Sequence, residues 1–268
     1  MLIIPNETGF GASVKVAYPH ALCSARTAEA LRAALVRFRV LILPEITTKL
    51  DLFGTVARAL GELVPHDFVS ALRHDDRIHE ICKAPEHVHN FGGTWHSDGA
   101  YLKRPPRTIM LQAIEVPQSG GDTLWACQFA AQAALPLALR NDLLGRTVTH
   151  AAAPVFGGYA GGSARAAAQS AKHPLFRWIP DRGESALFHS GPCAQAIAGL
   201  SAHDSAARLD EIMGIASTTL IFRHRWRPGD IVIWDNRSTL HMALNDYQGQ
   251  SRRMRRALIG SEAPQYGP

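Results

Sequence analysis

Cysteine is scarce, and its spacing carries no signal. Cys23, Cys82, Cys127 and Cys193 lie far apart and form no Cys-x-x-Cys pair, so neither a zinc knuckle nor a disulfide framework is indicated. Long apolar runs are missing too: nothing approaches the ~20 uninterrupted residues of a membrane span. The start, Met1-Leu2-Ile3-Ile4-Pro5-Asn6, lacks the basic and long apolar stretches of a secretory signal. These absences lead to the expectation of a soluble, cytoplasmic protein with no membrane partner. Basic residues outnumber acidic ones, 28 against 23 for a net +5, yet no long Lys/Arg tract occurs. Nucleic acid is therefore not expected as a partner. The one dense basic run, Arg252-Arg253-Met254-Arg255-Arg256, suits a small anionic ligand better than a polyanion.

What is present is enough for one full core: 268 residues, 46% hydrophobic, expected as a single domain over 1–268. Leu31, Ala34, Leu35 and Phe38 recur at helical spacing. Arg39-Val40-Leu41-Ile42-Leu43 reads as a short strand ended by Pro44. A second helix, capped at Thr47 or Thr48, carries Phe53, Val56, Ala57 and Leu60 on one face and stops at Gly61. Beyond Leu63 the chain turns to short strands punctuated by Pro, Gly, Asp and Asn. The clearest are Thr108–Val116, Ile231–Trp234, Thr239–Leu244 and Arg252–Ile259. A helical insertion at about 126–217 interrupts them, broken at Pro136 and including a small, glycine-rich, lid-like loop at about 151–165. An ordinary surface loop fits that last stretch equally well. The expected class is mainly β with flanking helices around a jelly-roll-like double sheet.

The stretch Gly92-Gly93-Thr94-Trp95-His96-Ser97-Asp98-Gly99-Ala100-Tyr101 stands out. On an extended strand His96 and Asp98 would leave the same face, offering an imidazole nitrogen and a carboxylate oxygen to one ion. A second histidine from elsewhere would complete the arrangement by which non-haem Fe(II) oxygenases hold iron with one side open. His-x-Asp alone is weak: His74-Asp75-Asp76 repeats it inside a charged run that reads as an exposed turn. The glycines around His96 and Asp98 mark close backbone approach, although a satisfied polar pair in a strand fits the pattern as well. His241, just past the turn Asp235-Asn236-Arg237, is placed to face an interior; singly, such a histidine is more often a hydrogen-bonded core residue. Period-two alternation puts Arg252, Met254 and Arg256 on one face. Two buried arginines need anions.

Trp95-His96-Ser97-Asp98, Gly120-Gly121-Asp122-Thr123, Trp234-Asp235-Asn236-Arg237 with His241, and Arg252…Arg256 occur in the order and spacing of TauD/TfdA-like dioxygenases, which the chain resembles from about Ala30 to Leu258. The resemblance implies a double-stranded β-helix (jelly roll, cupin-like) core and an Fe(II)- and 2-oxoglutarate-dependent enzyme consuming O2. It implies His96, Asp98 and His241 as iron ligands, and Arg252 with Thr123 on the distal carboxylate of 2-oxoglutarate. It also implies His66, Tyr101, Phe156, Cys193 and Arg256 around a substrate, with Arg256 holding an anionic group. Cys193 and Ala152 are smaller than the residues expected at their positions, so the resemblance does not carry taurine over as substrate. Self-association is also implied.

Hydroxylation with release of succinate and CO2 is the expected outcome. Desaturation, cyclisation and epimerisation share such an iron site; halogenation does not, because Asp98 fills the position that halogenases vacate. Two rivals differ in class. A non-catalytic jelly-roll binding protein leaves the buried arginines unexplained. A zinc hydrolase could use the same triad but gives Arg252 and Thr123 nothing to hold.

Overall fold

The structure, a computed structural model, describes residues 1–69, 71–156 and 168–268. Its larger sheet has nine strands. These are β1 (Leu2–Pro5), β2 (Ala12–Lys15), β3 (Val40–Leu43), β4 (Leu63–Val64), β5 (Ala71–Leu72), β6 (Asp75–Lys83), β7 (Pro106–Glu115), β15 (Ile231–Asp235) and β17 (Arg252–Ser261). They run in the order β1-β2-β3-β15-β7-β17-β6-β5, with β4 beside β17. A smaller sheet has the order β14-β8-β16, from β8 (Thr123–Cys127), β14 (Ile221–His224) and β16 (Thr239–Ala243).

Strand β15 shows why these segments pair. Ile231 and Ile233 enter one apolar cluster, Val232 and Trp234 another. A strand covered on both faces reads as a continuous apolar run rather than an alternating one. Its outer face meets helices α1 (Ala25–Phe38) and α2 (Leu50–Leu60), through Leu31, Leu35, Phe53 and Val56. Its inner face meets the smaller sheet, where Trp125 of β8 sits edge-on to Trp234 with ring centroids 5.6 Å apart. Each such fully buried aliphatic or aromatic side chain contributes roughly 1.5–3 kcal/mol.

Helix α1 is capped by Ser24, whose Oγ accepts from the amide of Thr27, and it ends at Arg39 in the left-handed region. The second helix starts later than its sequence suggests. The Thr47 hydroxyl accepts from the Lys49 amide at 2.9 Å, so that threonine closes a turn before the helix and Lys49 occupies the cap position.

The 126–217 segment contains strands as well as helices. Helices α3 (Gln128–Ala134), α4 (Leu137–Leu143), α5 (Ala153–Phe156) and α6 (Ala202–Ala216) accompany β9 (Thr147–Ala151), β10 (Ser170–Pro174), β11 (Phe176–Ile179), β12 (Glu184–Leu187) and β13 (Ala194–Ile197). The short strands form two sheets of their own, β10-β9-β13 and β11-β12, with one bridge outward from Trp178 to Gln265. Strands β9, β11, β12 and β13 share an apolar cluster with α3, α4 and α6. Pro136 separates α3 from α4, as expected. Of the lid-like loop at 151–165, Ala151 to Phe156 are seen; the rest lies outside the described residues. No helix among the described residues is long and apolar enough to cross a membrane.

Candidate metal centre and substrate cleft

His96 and His241 face each other across an antiparallel bridge, N to O at 3.0 and 2.8 Å. Their rings are 4.1 Å apart. This corrects the strand expected at 96–98: His96 is an isolated bridge residue and Asp98 opens a turn. The carboxylate reaches the imidazoles by that turn and not by strand periodicity. Gly99 (φ +68°) makes the turn possible, since a Cβ there would come within 2.8 Å of Pro106. Gly92 (φ +78°) lies against the His96 ring, where a Cβ would come within 3.1 Å. Ser190 fixes the intervening residue, accepting from the Ser97 amide and donating to the Ser97 carbonyl, both at 3.0 Å. The His74 repeat stays outside the site. His74 is exposed, and Asp75 opens β6 and pairs with Arg58 at 2.6 Å.

The ligand atoms of His96, Asp98 and His241 all lie within 4.8 Å of one another. His96 Nε2 is 3.9 Å from Asp98 Oδ1 and His241 Nε2 is 3.8 Å from Oδ2, too far for hydrogen bonds. Asp98 Oδ2 is buried with no hydrogen-bond partner. Burial by itself would raise the Asp98 carboxyl, but the Arg256 charge beside it, foremost among its neighbours, holds it well below the usual carboxylate range. Burial, reinforced by His96, also keeps His241 neutral. His96 Nδ1 lies 2.7 Å from the Thr94 carbonyl, to which it donates, leaving Nε2 with its lone pair. An ionised oxygen without a donor, between two imidazoles, fits a cation. Two neutral nitrogens and one carboxylate form the donor set of a ferrous site.

Arg252 is buried, its Nε unpartnered, with its guanidinium 5.9 Å from the Trp226 ring. Trp226 Nε1 also donates to Thr123 Oγ1 at 2.9 Å. The Thr123 hydroxyl proton is thereby left to point elsewhere. Thr123, Arg252, Arg256, His96 and His241 all line one small cavity of about 30 Å³. Arg256 donates from Nη1 to Asp98 Oδ1 at 3.1 Å, while its buried Nε and Nη2 have no partner. Sequence reading missed Trp226, because a tryptophan at the end of an alternating strand looks like plain core.

A cleft of about 360 Å³ opens beside His96 and Asp98, lined in part also by His66, Tyr101, Phe156 and Cys193. Four of the five expected substrate residues thus converge, with Ala152 packed beside them, whereas Arg256 lines the small cavity and not this cleft. Two more aromatics join that the sequence did not flag. Phe68 stacks on Phe156 at 4.5 Å, and Phe91 lies under Arg256 with the guanidinium 5.1 Å from its ring. His66 Nδ1 accepts from the amides of Phe68 and Val69 at 3.1 and 3.0 Å. Burial, aided by Arg256, lowers His66 to about 3, so it stays neutral with its proton on Nε2. Burial, reinforced by the Asp98 charge, pushes the Cys193 thiol up to about 12. It is a wall here, not a nucleophile.

The family model for taurine catabolism dioxygenase TauD, TfdA family, matches residues 4–258. The chain belongs to the TauD/TfdA dioxygenase family. TauD/TfdA membership makes it an oxidoreductase that uses Fe(II), 2-oxoglutarate and O2. Among relatives, an α-ketoglutarate-dependent sulfate ester dioxygenase of Pseudomonas putida is 31% identical, over 90% of this chain and 83% of its own length. The α-ketoglutarate-dependent 2,4-dichlorophenoxyacetate dioxygenase of Cupriavidus pinatubonensis is 36% identical, over 67% of this chain and 64% of its own. Two solved structures share the TauD/TfdA fold seen here. A taurine dioxygenase from Burkholderia xenovorans superposes with a TM-score of 0.84 at 24% identity, covering all of this chain and 93% of that one. AAD-2, in complex with Mn(II) and N-oxalylglycine, gives 0.87 at 20% identity and 99% of both chains.

Proposed function

We propose that this enzyme hydroxylates a small anionic substrate at the mouth of the 360 Å³ cleft. In this reading His96, Asp98 and His241 hold the iron. Arg252 and Thr123 take the distal carboxylate of 2-oxoglutarate, and Arg256 with His66 receives the acid group of the substrate. The two facing sheets form the double-stranded β-helix core of one domain, with 126–217 as its insertion. The observation that carries the proposal is Asp98 Oδ2, buried and unpartnered between two imidazoles, with unsatisfied arginine nitrogens close by.

Bound together, iron, 2-oxoglutarate and O2 supply an oxidant strong enough for a C–H bond, with succinate and CO2 as by-products. The protein's own contribution is orientation and exclusion of water. Thr94 and the His96–His241 bridge fix the imidazoles. Trp226 turns the Thr123 hydroxyl so that it can donate to a carboxylate. His66, locked neutral, offers one N–H to an acceptor oxygen. Phe91 and Phe156 line the cleft, with Phe68 stacked on Phe156, and Asn90, Thr94 and Asn245 add polar groups to its wall. The relatives named for sulfate esters and 2,4-dichlorophenoxyacetate point to acidic oxygens on a less polar body as the substrate class. Four free cysteines support a cytoplasmic, reducing setting. Self-association belongs to the same proposal and rests on the family alone.

Anaerobic addition of Fe(II) and 2-oxoglutarate should produce a weak visible charge-transfer band. Once O2 is admitted, succinate release should be stimulated by one class among sulfate esters, sulfonates and aryloxyacetates. No band in the metal-loaded protein, together with Zn(II)-dependent hydrolysis, would transfer the triad to the zinc reading.

A further inference from the structure

Lys83 presents a buried charge that the iron site does not account for. It ends β6, is 4% exposed, and its Nζ is buried without a hydrogen-bond partner. In the β6–β17 pairing it stands directly opposite Arg252. Directly opposed residues on antiparallel strands project from the same face, so ammonium and guanidinium share the interior side. The alternation agrees: Cys82 on β6 is exposed, as is Arg253 on β17.

Two cations side by side, both out of water, repel each other and have each lost hydration. Among the described residues no carboxylate makes an ion pair with either of them. Asp122, whose charge is felt at Arg252, is itself bound to Arg223 at 2.6 Å. Among the described residues Lys83 is eased by the Tyr247 ring, whose centroid lies 4.6 Å from Nζ. A ring face compensates part of the charge but accepts none of the three N–H bonds an ammonium offers. Such a pair is stable when an anion completes it.

We propose that Lys83 is a second cation of the 2-oxoglutarate seat, adding its field to the contact made by Arg252 and Thr123, so that the distal carboxylate is held by two positive charges. This rests on the dioxygenase reading above. It adds a binding residue on β6 that lies away from the iron ligands.

The test uses the Fe(II)-loaded protein without oxygen and two probes. One is 2-oxoglutarate; the other is 2-oxobutyrate, which has the keto acid but no distal carboxylate. Calorimetric titration of Lys83→Met should show 2-oxoglutarate weakened roughly tenfold or more, as expected for a charge lost at short range in a medium of low dielectric. Binding of 2-oxobutyrate should be unchanged, and Lys83→Arg should restore 2-oxoglutarate. Lys83→Gln makes the same comparison should the methionine variant fold poorly. Equal affinities in variant and wild type, or equal weakening of both probes, would overturn the proposal, the latter showing a merely structural role. A wild type that binds neither acid would instead sink the dioxygenase reading.

Discussion

Asn236 holds the peptide of Asp98 from both sides: its Oδ1 accepts from the Asp98 amide at 2.9 Å and its Nδ2 donates to the Asp98 carbonyl at 2.9 Å. The same Nδ2 donates to Pro106 at 3.0 Å. One amide thereby ties the ligand turn to β7 and to the turn after β15. Asn236→Ala would strand buried backbone groups, at a cost of about 2–4 kcal/mol. It should also weaken Fe(II) or Mn(II) binding roughly 10–100-fold, the usual effect of losing a group that orients a ligand. Thermal melts and metal titration check both; unchanged metal affinity would remove Asn236 from the site.

On the proposed assignment, Asp98→Ala takes away a ligand and the partner of Arg256 at once. Substrate-coupled succinate release should vanish while the protein still folds. The metal-free variant should melt lower, because an arginine 2% exposed is left without its carboxylate. Retained full turnover would show that Asp98 is no ligand.

Arg252 and Arg256 should separate kinetically. Arg252→Met is expected to raise the requirement for 2-oxoglutarate by tenfold or more. Arg256→Ala should raise that for substrate while uncoupled 2-oxoglutarate decay continues. Steady-state kinetics with each cosubstrate varied reads the difference. Collapse of 2-oxoglutarate binding in Arg256→Ala would mean that the two roles are exchanged.

Acid should destabilise the fold through a histidine buried in the insertion. Burial holds His189 down to about 4, against 6.5 ordinarily. A depressed histidine takes up its proton first in the unfolded chain. Its contribution is therefore complete above about pH 6.5 and lost as pH falls toward 4, roughly 3 kcal/mol in all. Urea denaturation at pH 7 and pH 5 should show a smaller drop for His189→Leu than for wild type. Identical drops would place the acid sensitivity elsewhere.

Much of this could be read along the chain. A continuous apolar run marked β15, alternation marked the inward arginines of β17, and helical spacing marked the buried faces of α1 and α2, because strand and helix periods are local properties of the backbone. The glycines at 92 and 99 announced close approach for the same reason. Roles beyond these were legible only by resemblance, and His66, Tyr101, Phe156 and Cys193 did converge. Tertiary structure alone decided that Asp98 reaches the imidazoles through a turn, that Trp226 serves Thr123, and that Lys83 stands opposite Arg252. Apart from the short step from His96 to Asp98, those relationships join residues more than a hundred positions apart. They depend on strand register and on which sheet faces which, and neither leaves a periodic trace in the sequence.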